Sequence, residues 1–244
     1  MSLESFQIHL SSSLADKLYD GLTSDVEWYL PTIEIPSNYH VHVGIENLSI
    51  PYSFYNTNSN NNLLYYNEGG TAKTLIITPG NYNANNIIDE LKKTLVAFTI
   101  TYNPITNRLT FNNLLSFYFY SSSTCLALLG ISTNNLNPIG NTLVSDMSIN
   151  LSPYRSIQIA SNLKTFSINT FNKNNTTVLA TIPINTAPNS VIVYQNQSNF
   201  NSNTFSNIIS NIRIRLIDHL FRPIDLNGLN FGITLRFTIV DYVN

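Results

Sequence analysis

The sequence predicts an all-β protein, a single jelly-roll β-sandwich with one short inserted amphipathic helix. Three observations carry that prediction. Apolar and polar residues alternate in many short runs, turn-forming residues separate those runs, and helical spacing is convincing at one place. Short strands punctuated by turns favour a sandwich or jelly roll over a parallel sheet. At 244 residues, the chain can bury roughly 70 to 75% of its unfolded surface. One sandwich of about eight strands suits that length, whereas a double jelly roll needs roughly twice as many residues.

The first run, "FQIHL", places Phe6, Ile8 and Leu10 on one face, and "VEWYL" does the same for Val26, Trp28 and Leu30. In "YHVHVGIE" the core-facing set is Val41, Val43 and Ile45, which leaves His40, His42 and Glu46 on the other side. Further strands are expected at "TLIIT" (74–78), "FTITY" (98–102), "RLTF" (108–111) and "SFYFYS" (116–121). "SIQIA" (156–160), "KTFSI" (164–168), "VLATIPI" (178–184) and "SVIVYQ" (190–195) follow, and "NIRIRLID" (211–218) and "GITLRFTIV" (232–240) close the chain.

The helix is expected within "NANNIIDELKKTLVAF", where Ile87, Ile88, Leu91, Leu95 and Phe98 recur at three- and four-residue spacing. Asp89 and Glu90 precede Lys92 and Lys93, the order the helix dipole favours, and Asn83 or Asn85 can cap it. Turns are signalled by "NEGG" (67–70), "PITN" (104–107) and "DLNG" (225–228). The Asn-rich stretches 56–62 and 196–203 are too polar to pack and read as loops at exposed ends. No linker or repeat is visible, so residues 1–20 are taken as an N-terminal arm or first strand and 21–244 as one jelly-roll domain.

Composition narrows the function. Charged residues are 11% of the chain, against about 25% in an average domain, and asparagine, about one residue in seven, supplies much of the polar surface. The net charge of −2 gives no basic footprint, so sequence-specific nucleic-acid binding and genome coating are not expected. Cys125 is the single cysteine, and the N-terminal stretch has no charged region followed by an apolar one, which points to folding in a reducing compartment. No stretch approaches the roughly 18 apolar residues of a membrane span.

The candidate metal ligands are His40, His42 and Glu46, because two alternate histidines and a carboxylate can hold a divalent ion. Their spacing matches the first cupin motif, but the flanking glycine positions hold Glu34 and Ser53 and no second motif follows. A strand face turned to solvent or a neighbour is the competing reading. Enzymatic motifs are missing: there is no Gly-x-Ser-x-Gly, P-loop, GxGxxG or Cys-x-x-Cys. Cys125 lies in an apolar run and reads as a buried thiol. Asp218-His219 lacks a nucleophile, and Arg213 and Arg215 read as partners for carboxylates on a neighbouring strand. The chain is therefore expected not to be an enzyme and to need no cofactor.

The order of features along the chain resembles a known family. "FQIHLSSS", the run from "SDVEWYL" to "IPYSFYN", "LIITPGNYNANNIIDELKKTL", "ITYNPITNRLTF", "LALLGI" and "IRIRLIDHLFRPIDLNGLNFGITLRF" follow the pattern of penton proteins. These are minor capsid proteins of virophages and polinton-like double-stranded DNA viruses. The most specific pieces are Pro79-Gly80-Asn81-Tyr82, Leu128-Leu129-Gly130 and Asp225-Leu226-Asn227-Gly228. The resemblance implies a structural protein of the virion, made in the host cytoplasm. Five copies would close each icosahedral fivefold vertex, beside a double-jelly-roll major capsid protein. Contacts are then expected from Phe6 and Ile8 and from the face bearing His40 and His42. The alternatives are a glycan-binding jelly-roll module, suggested by abundant Asn and Tyr, and a cupin-like metalloprotein.

Overall fold

A computed structural model describes residues 5–35, 39–152, 154–163, 167–168, 175–196, 202–204 and 208–241. The chain opens with strands β1 (Ser5–Ser11), β2 (Lys17–Tyr19), β3 (Leu22–Glu34) and β4 (Tyr39–Pro51). It continues through β5 (Leu63–Glu68), β6 (Thr71–Ile76), helix α1 (Ala84–Lys92), β7 (Phe98–Asn103), β8 (Arg108–Asn113), β9 (Phe117–Phe119) and β10 (Thr142–Val144). The remaining strands are β11 (Ser156–Ser161), the short pair β12 (Ser167–Ile168) and β13 (Asn175–Thr176), β14 (Val178–Pro183), β15 (Val191–Gln195), β16 (Ser202–Thr204), β17 (Ile208–Ile217) and β18 (Gly232–Asp241). They form two compact units, Met1–Phe54 with Tyr154–Asn244, and Tyr55–Pro153 between them.

The first unit is the jelly roll. Its pairing is nested: β1 pairs with β18, β3 with β17, β4 with β15 and β11 with β14, all antiparallel. The pairs β18–β4 and β17–β11 then join these into two sheets, β1-β18-β4-β15, with β16 also beside β4, and β14-β11-β17-β3-β2. Eight principal strands rolled in this way define a jelly roll. Period-two alternation supplies the core between the sheets: Val41, Val43, Leu235 and Phe237 come from one, and Val26, Trp28, Ile212 and Ile214 from the other, each 4% exposed or less. Phe6 and Ile8 are half-buried against this core, and Phe6 stacks on Phe237 with ring centroids 5.1 Å apart.

One irregularity in β4 has a visible cause. Strict alternation from Ile45 would turn Leu48 and Ile50 outward, yet both are buried. A register shift against β18, between Thr234 and Leu235, absorbs the extra residue and keeps the apolar set facing inward.

The chain leaves the jelly roll at Phe54 and returns at Tyr154, whose rings meet edge to face at 5.5 Å. The connections after β4, β14 and β17 gather at that end. Tyr52 N–H donates to Ser190 O, and Ser53 Oγ donates to Leu226 O. The motif Asp225-Leu226-Asn227-Gly228 is the turn between the last two strands: Asp225 Oδ1 accepts from Asn227 N–H, Leu226 is fully buried, and Asn227 and Gly228 take positive φ.

The inserted unit has its own core under two three-stranded sheets, β6-β5-β9 and β10-β8-β7. Phe98, Phe111, Phe117 and Phe119 form a connected aromatic cluster there, and α1 adds Ile87, Ile88 and Leu91. Asn83 caps the helix, its side chain accepting from Asn85 N–H and Asn86 N–H. The helix belongs to this second unit, with six further strands among its described residues, a division the sequence pattern does not mark. The reason is physical: both units use the same alternation, so local pattern does not tell which strands pair.

The first Asn-rich stretch is a loop exposed at Ser59 and Asn60, but its two ends are buried. Asn56 and Asn62 are 6% and 7% exposed, and their side chains serve the main chain. Asn56 Nδ2 donates to Tyr82 O (2.8 Å) and Leu151 O (3.0 Å), and its Oδ1 accepts from Tyr82 N–H (3.0 Å). Asn62 Nδ2 donates to Ile77 O. The Pro79-Gly80-Asn81-Tyr82 motif thus wraps around one buried asparagine amide. Of the second stretch, 197–201 lies outside the described residues.

Candidate interaction surface

Two of the metal candidates, His42 and Glu46, sit apart on β4. His42 is half-buried, opposite Asn203 of β16 and Thr238 of β18. Four residues of strand separate it from Glu46, about 13 Å at the usual rise. Glu46 is engaged elsewhere, accepting from Arg236 Nη2 at 2.7 Å. The His40 side chain lies outside the described residues. Among the described residues no group of three His, Cys, Asp or Glu side chains is placed to hold a metal ion.

The other candidates also have structural partners. Asp218 is 1% exposed and organises its turn, accepting from the N–H groups of Leu220 and Arg222 and from the Arg222 guanidinium. His219 is exposed beside it. Cys125 is fully buried, and burial pushes its thiol up to about 12, which leaves no reactive thiolate at neutral pH. Arg213 grips Asp25 on β3 through two bonds of 2.7 and 2.8 Å, the cross-strand pairing expected of it.

That ion pair belongs to a network the sequence reading missed. On the outward face of the β3-containing sheet, Asp25 and Glu27 are only 4% and 7% exposed. The Arg213 guanidinium lies 3.4 Å from the Tyr19 ring centroid, and Tyr19 Oη–H donates to Glu27 at 2.7 Å. Asn211 Nδ2 donates to the other Glu27 oxygen. The available signal was the pair of carboxylates alternating along "SDVEWYL", but their cover comes partly from β17, far along the chain, and from β2 across a hairpin whose register the pattern does not give.

These bonds set the pH response. The Tyr19 hydroxyl, then Asn211, holds Glu27 below the ordinary carboxylate range. Lys73, then Asn113, does the same for Glu68, and Lys93, then Thr78, for Glu90. Each folded value lies below the unfolded one, so each contributes stability above the unfolded pKa, about 4.3. That contribution is lost as pH falls through the depressed folded value. Urea midpoints are therefore expected to fall on acidification below about pH 5, less steeply in Glu68→Gln than in wild type. An unchanged acid slope in that variant removes Glu68 from the account.

On the outward face of the β1-containing sheet lies a shallow depression of about 530 Å³, lined by His9, Asn47, Ser49, Val193, Gly232 and Thr234. Its lining is uncharged apart from His9, and Val193 is 60% exposed beside it. β1 and β15 end this sheet on either side, and neither contains an ionised residue or a proline. Such edges are open to pairing or packing by another chain. No described helix is long and apolar enough to cross a membrane.

Fold and surface thus define a single-jelly-roll protein with a second unit inserted between its third and fourth principal strands. Its outward faces offer contact area, with no assembled acid–base or metal centre among the described residues. The fold is that of the mavirus penton protein, whose crystal structure superposes with a TM-score of 0.54 at 10% identity, covering 97% of this chain and 100% of that one. A chain in the cryo-EM structure of the Sputnik virophage aligns over 95% of this chain and 97% of its own, at 12% identity and a TM-score of 0.46. No family model and no curated protein sequence matches the chain.

Proposed function

We propose that the chain is a structural capsid protein, a penton whose five copies close the icosahedral fivefold vertices of a virion. The observation that carries this reading is the likeness to the mavirus penton protein over nearly the full length of both chains, inserted unit included. The ordered motifs of the sequence support it, since the three most specific ones form a turn anchored by the buried Leu226, a glycine under a crossing main chain and the stem of the insert. Function here is geometric. A fivefold ring uses heterologous contacts, one patch of a copy against a different patch of the next, and closes through the angle between them.

In this reading the neighbours are four further copies and a double-jelly-roll major capsid protein. Contacts fall on the open edge at β1, where Phe6 and Ile8 are half-buried at the rim, and on the face bearing His40 and His42. A surface with few ionised groups limits repulsion between identical copies. Synthesis in the host cytoplasm fits the lone buried cysteine.

Light scattering across a concentration series tests the ring. A species near five times 27.4 kDa is the expected result. A fixed monomeric or dimeric mass, together with labelled protein absent from the fivefold positions of purified particles, overturns the reading.

A further inference from the structure

Three polar residues stand on inward strand faces at one end of the inserted unit's core. On β5, Leu64, Tyr66 and Glu68 share a face, and on β6 Leu75 and Lys73 stand opposite Leu64 and Tyr66 in register. On β8 the inward set is Leu109, Phe111 and Asn113. Lys73 thus belongs to the sheet β6-β5-β9 and Asn113 to the sheet β10-β8-β7, and Glu68 bridges the two. Its Oε2 accepts from Lys73 Nζ at 2.5 Å and its Oε1 from Asn113 Nδ2 at 2.6 Å. Glu68 and Asn113 are only 8% and 7% exposed. Their strand partners are Phe117 and Phe98, whose rings meet edge to face at 4.8 Å. An ion pair alone gains little from burying its carboxylate, and it has no need of an amide on the carboxylate's second oxygen.

We propose that Lys73 and Asn113 become joined by an intramolecular isopeptide bond, with Glu68 carrying protons between them. Two nitrogens bound to the two oxygens of one carboxylate lie within about 7 Å of each other. Lys73 is exposed along its flexible stem, and rotation of that stem brings Nζ to the roughly 3 Å from Asn113 Cγ that attack requires. The bond would bolt the two sheets of the inserted unit together through their core.

The hydrogen bonds already present supply each step. Glu68 takes one proton from the Lys73 ammonium across their contact, which leaves a neutral amine and a carboxylic acid. The amine lone pair attacks Asn113 Cγ, forming the new C–N bond and moving the carbonyl π electrons onto Oδ1. That oxygen accepts from Leu115 N–H at 2.9 Å, a donor in place for the negative charge of the tetrahedral intermediate. Glu68 then protonates Nδ2, the Cγ–Nδ2 bond breaks, the carbonyl re-forms and ammonia departs. A second proton passes from the former amine to the ammonia through Glu68. The products are a secondary amide and an ammonium ion, and Glu68 ends ionised as it began. No oxidant, metal or cofactor is consumed.

Intact mass spectrometry of the purified full chain, denatured for the measurement and then mapped by proteolysis, tests the bond. The wild-type mass is expected to fall below the sequence mass by one ammonia, and the map to contain a branched peptide joining Lys73 to Asn113. Lys73→Arg, Asn113→Ala and Glu68→Gln are each expected to keep the full mass of their own sequences. The wild-type result decides the matter even where a variant fails to fold. A wild-type chain that keeps its full mass after prolonged incubation at neutral pH overturns the proposal. Ammonia loss mapped elsewhere, for instance to a succinimide at Asn227-Gly228, overturns it as well. Loss that persists in Glu68→Gln overturns the role given to the carboxylate.

Discussion

Replacing Gly130 with alanine is expected to destabilise the inserted unit by about 4 kcal/mol. Gly130 has φ +73°, and a Cβ there would stand 2.4 Å from Met147 O and 2.8 Å from Ser148 C and O. Left-handed backbone alone costs an L-residue about 1–2 kcal/mol. The remainder follows from the crossing segment, which cannot simply retreat, because Met147 N–H donates to Gly130 O at 2.9 Å and Ser145 N–H to Leu109 O at 2.8 Å. Gly21→Ala is the control: φ is +71°, yet nothing lies within 4 Å of the added carbon, so about 1 kcal/mol is expected. Hydrogen exchange at residues 126–131, read beside urea midpoints, separates the two. Equal losses for both variants would show that the close approach at Gly130 contributes nothing.

Asn56→Ala is expected to be nearly as severe and to act locally. The substitution strands three main-chain groups, Tyr82 N–H, Tyr82 C=O and Leu151 C=O, at a site where the side chain is 6% exposed. At about 1–3 kcal/mol for each unsatisfied buried group, partly relieved by water, a loss of about 3–5 kcal/mol follows. The asparagine amide ties the first residues of the insert to its last ones. Amide protection is therefore expected to collapse around 56–57, 80–82 and 151 and to persist in β17 and β18. Loss spread evenly over the jelly-roll strands as well would refute a local role, and unchanged protection would refute any role.

How far the sequence could be read depended on the range of the interaction concerned. The strand β1 and its inward set Phe6, Ile8 and Leu10 were legible, because alternation is a property of neighbouring residues. So was α1, whose cap is Asn83 of the two candidates Asn83 and Asn85, and so were the turns at 67–70, 104–107 and 225–228. Strand β5, "LLYYNE", was missed because its run of apolar residues has no clean period, and Asn67 and Glu68 are buried in their turn. The interaction surface was less legible. The expectation of a carboxylate partner for Arg213 was met by Asp25, but nothing in the sequence marks Tyr19 and Asn211 as the groups that cover Glu27.

An all-β chain, most of its described strands, the helix at 84–92 and the turn chemistry between them follow from the order of the residues alone. Each of these is decided by contacts within a few residues, where covalent spacing places side chains without help from the fold. The division of the strands between a nested jelly roll and an inserted unit became visible in the folded chain. The tertiary structure alone showed that Asn56 holds the stem of that unit and that Arg236 pairs with Glu46. Those outcomes depend on register between segments as far apart as Glu46 and Arg236. Strands with the same alternation are interchangeable until packing of the complete core selects one set of partners.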